Sequence, residues 1–348
     1  MKDSRRAAPD RAPSLQAVAD RAKVSISTVS RYLNGQLPVR SETEARLIQA
    51  MKEVGYERPG GPPHDLRTSK PVIGLVVPQI GNAQFGRIAD AVAVAADGYG
   101  LSLLICSTLN HPRKQLDYVD LLASKEVAGI VYAGNYRSNR ALSSNIRSGL
   151  PVVVIDEALV DSPPVDTVLV DDYAGAYQAV TYLTNLGHQR IALVTGSAGL
   201  HSVKERTRAY HDVLRKAGIR AESQLVLHGS FSEDFGVTAL SHMLAAAEPP
   251  TAVFAAADII ALGVMVAART LGVSIPADLS IVGFDDIRDS AWVSPRLTTV
   301  RAPVDEMAST ALSLLVDRLA DPTRRALTSI IGVSLVVGGS AAPIERDV

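Results

Sequence analysis

Two hydrophobic rhythms divide this chain. Up to residue 58 apolar positions recur at helical spacing; from residue 72 they gather into short continuous runs that alternate with helical stretches. In the first part Leu15, Val18 and Ala19 share one helical face, and Ile26, Val29, Tyr32 and Leu33 repeat the spacing in a second short helix. Ser14 and Ser25 stand before them as N-caps, where a short side-chain oxygen satisfies an orphan amide. The turn Lys23-Val24-Ser25 is too short for anything except two helices crossing steeply. Residues 38–58 predict a longer third helix. Ser41 caps it, Glu44 takes the capping-box position, Leu47, Ile48, Met51 and Val54 form its core face, and Gly55 stops it. Together they predict a small three-helix head.

The stretch PGGPPHDLRTSKP, residues 59–71, is too rich in proline and glycine to continue a helix and marks a boundary. Beyond it, strands are expected at 72–78, 101–107, 127–134 and 151–158, with helices at 84–99 and near 112–124. A second series begins after residue 170. Its strands fall at 190–196, 224–229, 251–258 and 279–286, its helices at 202–217, 233–246, 259–271 and 304–320, and a last strand at 334–339. Near-continuous Val, Ile and Leu runs mark parallel strands covered on both faces, and right-handed crossovers then give open doubly wound sheets. Two such α/β lobes, with ligand groups expected at the carboxyl ends of their strands, predict a cleft between them. The expected organisation is a head at 1–58, a linker at 59–71 and a two-lobed body at 72–348.

Charge sharpens this division. The net charge of −1 conceals an asymmetry: residues 1–70 hold 13 Lys and Arg against 8 Asp and Glu, and residues 71–348 hold 22 against 28. A basic end on an acidic body suits a head that meets phosphate. The second helix presents a polar face of Ser27, Thr28, Ser30, Arg31 and Asn34, which a helix that only plugs a core does not need. With the tight turn before it, this is helix-turn-helix geometry, whose second helix enters a DNA major groove. Two short amphipathic helices packed side by side are the competing reading.

Composition excludes several other classes. A hydrophobic content of 47% with 20% charged residues argues for a globular chain. The single cysteine, Cys106, lies in an apolar run and reads as a buried, inert thiol. The basic N-terminus lacks the apolar core of a secretory signal and reads as a disordered arm; no apolar run is long enough to span a membrane, so the expectation is a cytoplasmic protein. The seven histidines lack metal-ligand spacing, and neither a nucleophile elbow nor a phosphate-binding glycine-lysine loop is present. No catalytic constellation, metal or cofactor is expected. The turn Gly196-Ser197-Ala198-Gly199 fits an anion-binding nest and an ordinary strand-to-helix turn equally well.

Head and body together resemble the lactose-repressor (LacI/GalR-type) family of bacterial transcription regulators over nearly the whole chain. TVSRYLNG (28–35), with Val24-Ser25 before it, is similar to the family's recognition helix; IGLVVP (73–78), LGHQRIALVTG (186–196), PTAVFAAAD (250–258), VGFDD (282–286) and PRLTTVRAP (295–303) are similar to its body motifs, in the same order. The resemblance implies an α/β protein with a three-helix helix-turn-helix head on a periplasmic-binding-protein-like (type I) core of two doubly wound parallel sheets. It implies that Ile26 and Ser27 meet bases, that Arg31 reaches a guanine or a phosphate, and that Thr28, Ser30 and Asn34 hold phosphates. Lys23 and Arg40 are further phosphate contacts. For any one of these residues a solvated surface position competes; for the face as a whole it does not. In the cleft it implies effector contacts from Asn82, Phe85, Asp156, Ser202, Arg206, Phe231 and Asp285. Arg206 would be a forked donor, Phe231 a stacking ring and Asp285 an acceptor for ligand hydroxyls; a capped turn is the competing reading of Asp285 and Asp286.

The chain also departs from the family pattern. Lys23 replaces a usual glycine at the turn, a change of modest cost. Gly60-Gly61-Pro62-Pro63 replaces much of the usual hinge helix. Two arrangements stay open there: a short helix from Pro63 with Leu66 as a minor-groove wedge, or a looser tether. Ala257 and Ala302 stand where polar residues are common, which suggests a ligand other than an ordinary hexose. The implied protein is an allosteric DNA-binding regulator, most simply a repressor, controlled by a sugar or related metabolite. It would act as a homodimer on a near-palindromic double-stranded operator, because one head reads only a few base pairs. No leucine heptad follows the last strand, which argues against a coiled-coil tetramer. A solute-binding protein of a transport or sensing system is the alternative, and an enzyme the third choice.

Overall fold

The computed structural model describes residues 14–33, 41–56, 70–125, 127–134 and 138–344. The chain divides into two units, Met1–Lys70 and Pro71–Val348. In the first, α1 (Leu15–Ala22), α2 (Ile26–Leu33) and α3 (Ser41–Val54) bury Val18, Ala19, Ala22, Val29, Leu33, Leu47 and Ala50. Ser14 Oγ accepts from Ala17 N at 3.3 Å and Ser25 Oγ from Thr28 N at 3.1 Å, so both serines cap as expected. Lys23 takes the left-handed conformation, φ 54° and ψ 48°, and the amide of Val24 reaches back to the Ala19 carbonyl at 3.0 Å. This is the Schellman closure that glycine adopts most cheaply. Arg46 of α3 donates to the carbonyl of Ala22 at 2.7 Å and braces that turn. Gly55, at φ 63°, ends α3 with the matching bond from Tyr56 N to Met51 O.

Within the described residues α3 runs over Ser41–Val54, and Gly55 follows its last residue as expected. Ile26 and Ile48, expected on apolar helix faces, stand outside the core, 46% and 56% exposed. Asn34, Arg40 and Leu66 lie outside the described residues.

The second unit carries β1 (Val72–Val77), α4 (Ala83–Gly98), β2 (Ser102–Ser107), α5 (Pro112–Ser124), β3 (Gly129–Tyr132), α6 (Arg140–Arg147), β4 (Val152–Ile155), β5 (Asp166–Val170) and α7 (Asp172–Asn185). It continues through β6 (Ile191–Thr195), α8 (His201–Lys216), β7 (Val226–His228), α9 (Glu233–Leu244), β8 (Ala252–Ala255), α10 (Asp258–Leu271), β9 (Ser280–Asp285), β10 (Thr298–Arg301), α11 (Val304–Ala320), β11 (Thr328–Ile331) and β12 (Ser334–Val336). Two six-stranded sheets result, ordered β11-β5-β4-β3-β1-β2 and β12-β10-β9-β8-β6-β7. Every pairing is parallel except β10 with β12.

Alternation along each strand serves both faces of a sheet. Ile73, Leu75 and Val77 of β1 share a core with α4 and α11, whereas Val76 packs with Val119, Leu122 and Leu142 of α5 and α6. In the second sheet Leu193 and Phe254 face α7 and α8, and Val194 and Val253 face α9 and α10. Five elements come in addition to those expected: α6, α7, β5, β10 and β11. The helix at 304–320 forms, but it packs on β3, β4 and β5 of the first lobe rather than in the second. The chain therefore passes between the lobes three times, after β5, after β10 and after β11. Buried Asp166 secures the return. It accepts from Arg318 Nε at 3.0 Å, Arg324 Nη2 at 2.9 Å and Leu327 N at 2.9 Å, tying the starts of β5 and β11 to the end of α11.

Candidate functional site

On the head, α2 turns Val29 and Leu33 inward. Its outer side carries Ile26, Ser27 and Arg31, all exposed, with Thr28 and Ser30 half-buried beside them and Lys23 exposed at the preceding turn. Ser25 Oγ lies 2.8 Å from Ser27 Oγ and 2.7 Å from Thr28 Oγ1, so the start of the helix is a compact hydroxyl cluster. The face mixes one apolar side chain, hydroxyls and a cation.

In the body, the carboxyl ends of the strands converge on one pocket. Asn82 and Phe85 follow β1, Asp156 follows β4, Ser202 and Arg206 lie on α8 after β6, Phe231 follows β7, and Asp285 ends β9. All seven expected cleft residues line it, together with Gln84, Gly134, Glu157, Leu200, Ala257 and Ile259. The recess is tight, about 50 Å³, and opens past Asn82, Phe85, Leu200 and Phe231 onto an outer cleft of about 560 Å³. Serines 138, 197, 230 and 232 with Gln79 and Asn110 line that outer part. Phe231 reaches the recess because Gly196 has no side chain; a Cβ there would lie 2.3 Å from the ring.

Charge organises the recess. Arg206 donates from Nε to Asp172 Oδ1 at 2.8 Å and from Nη1 to the Ala256 carbonyl, and its guanidinium lies 3.6 Å from the centroid of Phe284. Burial pulls its pKa down, but the carboxylates of Asp172 and Asp285 more than offset this and leave it raised. Asp156 is pushed up to about 7 by burial, against the pull of Arg206. Burial likewise holds Asp285 well above the usual carboxylate range, again opposed by Arg206 and reinforced by Asp258. Both acids sit on left-handed backbone, φ 74° at Asp156 and φ 118° at Asp285. Such strain persists only where surrounding structure imposes it, and it gathers at ligand sites. Asp286 is held by Arg301 at 2.6 Å, in keeping with a turn role.

Gly134, Leu200, Ile259 and two polar lining residues, Glu157 and Gln84, were not anticipated from the sequence. Glu157 is buried and accepts from Ser202 Oγ at 2.7 Å and His201 N at 2.6 Å, so a carboxylate from the first lobe seals the start of α8. Gln84 is 6% exposed, and neither atom of its amide has a partner. Two adjacent acids after a strand, IDE at 155–157, were a legible signal for the first; a lone Gln at a helix start was none for the second. Asn82 is partly committed elsewhere: its Oδ1 caps α4 by accepting from Gln84 N at 3.0 Å.

A head of this kind together with a two-lobed body whose cleft gathers acids, an arginine and aromatic rings defines a class: DNA-binding proteins governed by a small ligand. Residues 14–59 match the bacterial regulatory proteins of the lacI family, and residues 180–341 match the periplasmic binding protein-like domain. The HTH-type transcriptional repressor PurR of Edwardsiella ictaluri is 31% identical over 94% of this chain and 96% of its own length. The HTH-type transcriptional regulator DegA of Bacillus subtilis is 34% identical over 84% and 87%. Among solved structures, a transcriptional regulator CelR–cellobiose complex superposes with a TM-score of 0.73 at 28% identity, covering 94% of this chain and 99% of that one. A LacI family regulator of Enterococcus faecium with bound ribose gives 0.72 at 28%, covering 79% and 100%. The chain belongs to the lacI family of bacterial regulatory proteins. It is a DNA-binding transcription regulator controlled allosterically by a small-molecule effector.

Proposed function

We propose that this regulator is a homodimeric repressor whose operator contacts come from the outer side of α2 and whose effector binds in the recess between the lobes. The observation that carries the reading is the convergence of seven expected side chains, drawn from both sheets, on one pocket. On the head, Ile26 and Ser27 lie where a recognition helix begins and meet base edges, Ile26 against a thymine methyl. Arg31 reaches a guanine or a phosphate, and Lys23, Thr28 and Ser30 fix the register on phosphates. The head comprises residues 1–58, the linker 59–71 and the body 72–348. In the recess Asp156 and Asp285 accept from the ligand, Phe85 and Phe231 cover its faces, and Ser202 and Arg206 set the wall opposite Asp156.

Dimerisation is supported by bare apolar surface on both lobes. Val94, Leu104 and Ile105 are exposed on α4 and the edge strand β2, and Val266, Leu271 and Trp292 on the second lobe. Two half-sites then multiply the affinity of each head, which implies a near-palindromic operator. No helix among the described residues is long and apolar enough to cross a membrane. Action on DNA supports a cytoplasmic location.

Binding to duplex DNA across a salt series tests the reading. The full chain should lose affinity steeply as salt rises, because bound Lys and Arg release counterions. Arg31→Ala should weaken binding without altering effector affinity. Salt-independent binding, or equal loss of both affinities, refutes it.

A further inference from the structure

The recess holds one buried carboxamide that the surrounding residues leave unpaired. Gln84, in the first turn of α4, has its Nε2 and Oε1 both shut off from solvent and both without a hydrogen-bond partner. Its own backbone is satisfied, the N–H donating to Asn82 Oδ1, so the side chain is not required for capping. A buried carboxamide left unpaired is unfavourable, and such groups persist where a ligand, a water or an ion completes them; the position of this one in the wall of the recess favours a ligand. Beside it in the recess are Phe85 and Phe231, two flat apolar walls, and the acceptors Asp156 and Asp285. The outer cleft, by contrast, presents hydroxyls and neutral amides.

We propose that Gln84 reads the effector through its side-chain amide, pairing edge to edge with a planar nitrogen heterocycle, so that the ligand is nucleoside-like rather than a bare sugar. A carboxamide offers one donor beside one acceptor, and a nucleobase edge answers with the same pair reversed. The ring lies against Phe85 and Phe231, and remaining ring N–H groups find Asp156 and Asp285. The hydroxylated remainder extends among the serines of the outer cleft. Because the recess is only about 50 Å³, entry of the ring requires it to widen. Gln84 belongs to the first lobe, and Phe231 and Ile259 belong to the second. Pairing with Gln84 is therefore coupled to lobe spacing. The inference rests on the recess being the effector site.

Calorimetric titration of the full chain with adenosine, inosine, cytidine, uridine, ribose and glucose tests it, on wild type, Gln84→Met and Asp285→Asn. At least one nucleoside should bind wild type. Gln84→Met should weaken that binding by roughly 10- to 100-fold, the range a lost bidentate pair costs. The ligand-free melting temperature of Gln84→Met should be equal or higher, since an unpaired polar group has been removed; a lower one would show that the amide holds the fold instead and overturns the proposal. Binding of a monosaccharide but of no nucleoside at millimolar concentration also overturns it while leaving the recess as the effector site. Nucleoside binding undiminished in Gln84→Met overturns the proposal, and if Asp285→Asn also leaves it undiminished the ligand lies elsewhere and the recess is refuted as well.

Discussion

Arg206 is held from three sides, by Asp172, by the Ala256 carbonyl and by the ring of Phe284. Much of its hydrogen-bonding capacity serves the protein itself. Arg206→Ala should therefore cost about 3–5 kcal/mol in urea denaturation, because Asp172 remains buried without its partner. A loss under about 1 kcal/mol would show that Asp172 is rescued by solvent or another donor. Asp156 makes a second prediction. Its pKa rises from 3.8 to about 7 on folding, through burial. Its contribution to stability is fully present below about pH 4 and is lost as the pH rises through about 7, since the folded state holds the proton more tightly. Asp156→Asn cannot ionise, so its stability should fall less between those limits than that of wild type; parallel curves would assign the slope to other groups. The cleft acids and aromatics were legible through the resemblance to the lactose-repressor family, whose body motifs the chain carries. Gln84 was not, since glutamine is usually solvated and nothing in its neighbours announces its burial.

Among the elements, the helix-turn-helix was the most legible, because its caps and its apolar spacing agree. The turn between α1 and α2 depends on a left-handed Lys23. Lys23→Gly should stabilise the head by up to about 1 kcal/mol, the cost of that conformation for a residue with a Cβ. Slower amide exchange across residues 15–33 in the full chain is the readout; unchanged exchange would mean that Arg46, which braces the turn, already carries the difference. Strands β5, β10 and β11 escaped notice for a shared reason. Each is four or five residues long and begins with Asp or Thr, so neither length nor apolar content marks it. Their polar residues are used internally: Thr299 Oγ1 donates to Asp258 at 2.5 Å, and Asp166 gathers the end of α11. Helix α7 was hidden by its small residues, of which Gly175 lies against Phe284.

For the whole molecule, order along the chain proved a poor guide to lobe membership. The sequence runs as two series, yet α11 and β11, from the far end, complete the first sheet. Periodicity reports which face of an element is buried and is silent about which neighbour buries it. A chain ending at residue 325 loses β11 and β12, one strand from each sheet. It should fail in both lobes at once, giving a molten or aggregated product by near-ultraviolet dichroism; an intact second lobe would show that the two sheets fold independently. The same interleaving bears on how the protein is made. As the polypeptide leaves the ribosome, the first lobe emerges with an open edge at β5 and an apolar face that α11 has yet to cover. It stays so while some 160 further residues are added, the span from Val170 to Ile331. The sensor half of this regulator is thus committed to finishing last what it began first, and throughout that interval its nascent form is a natural client for chaperones.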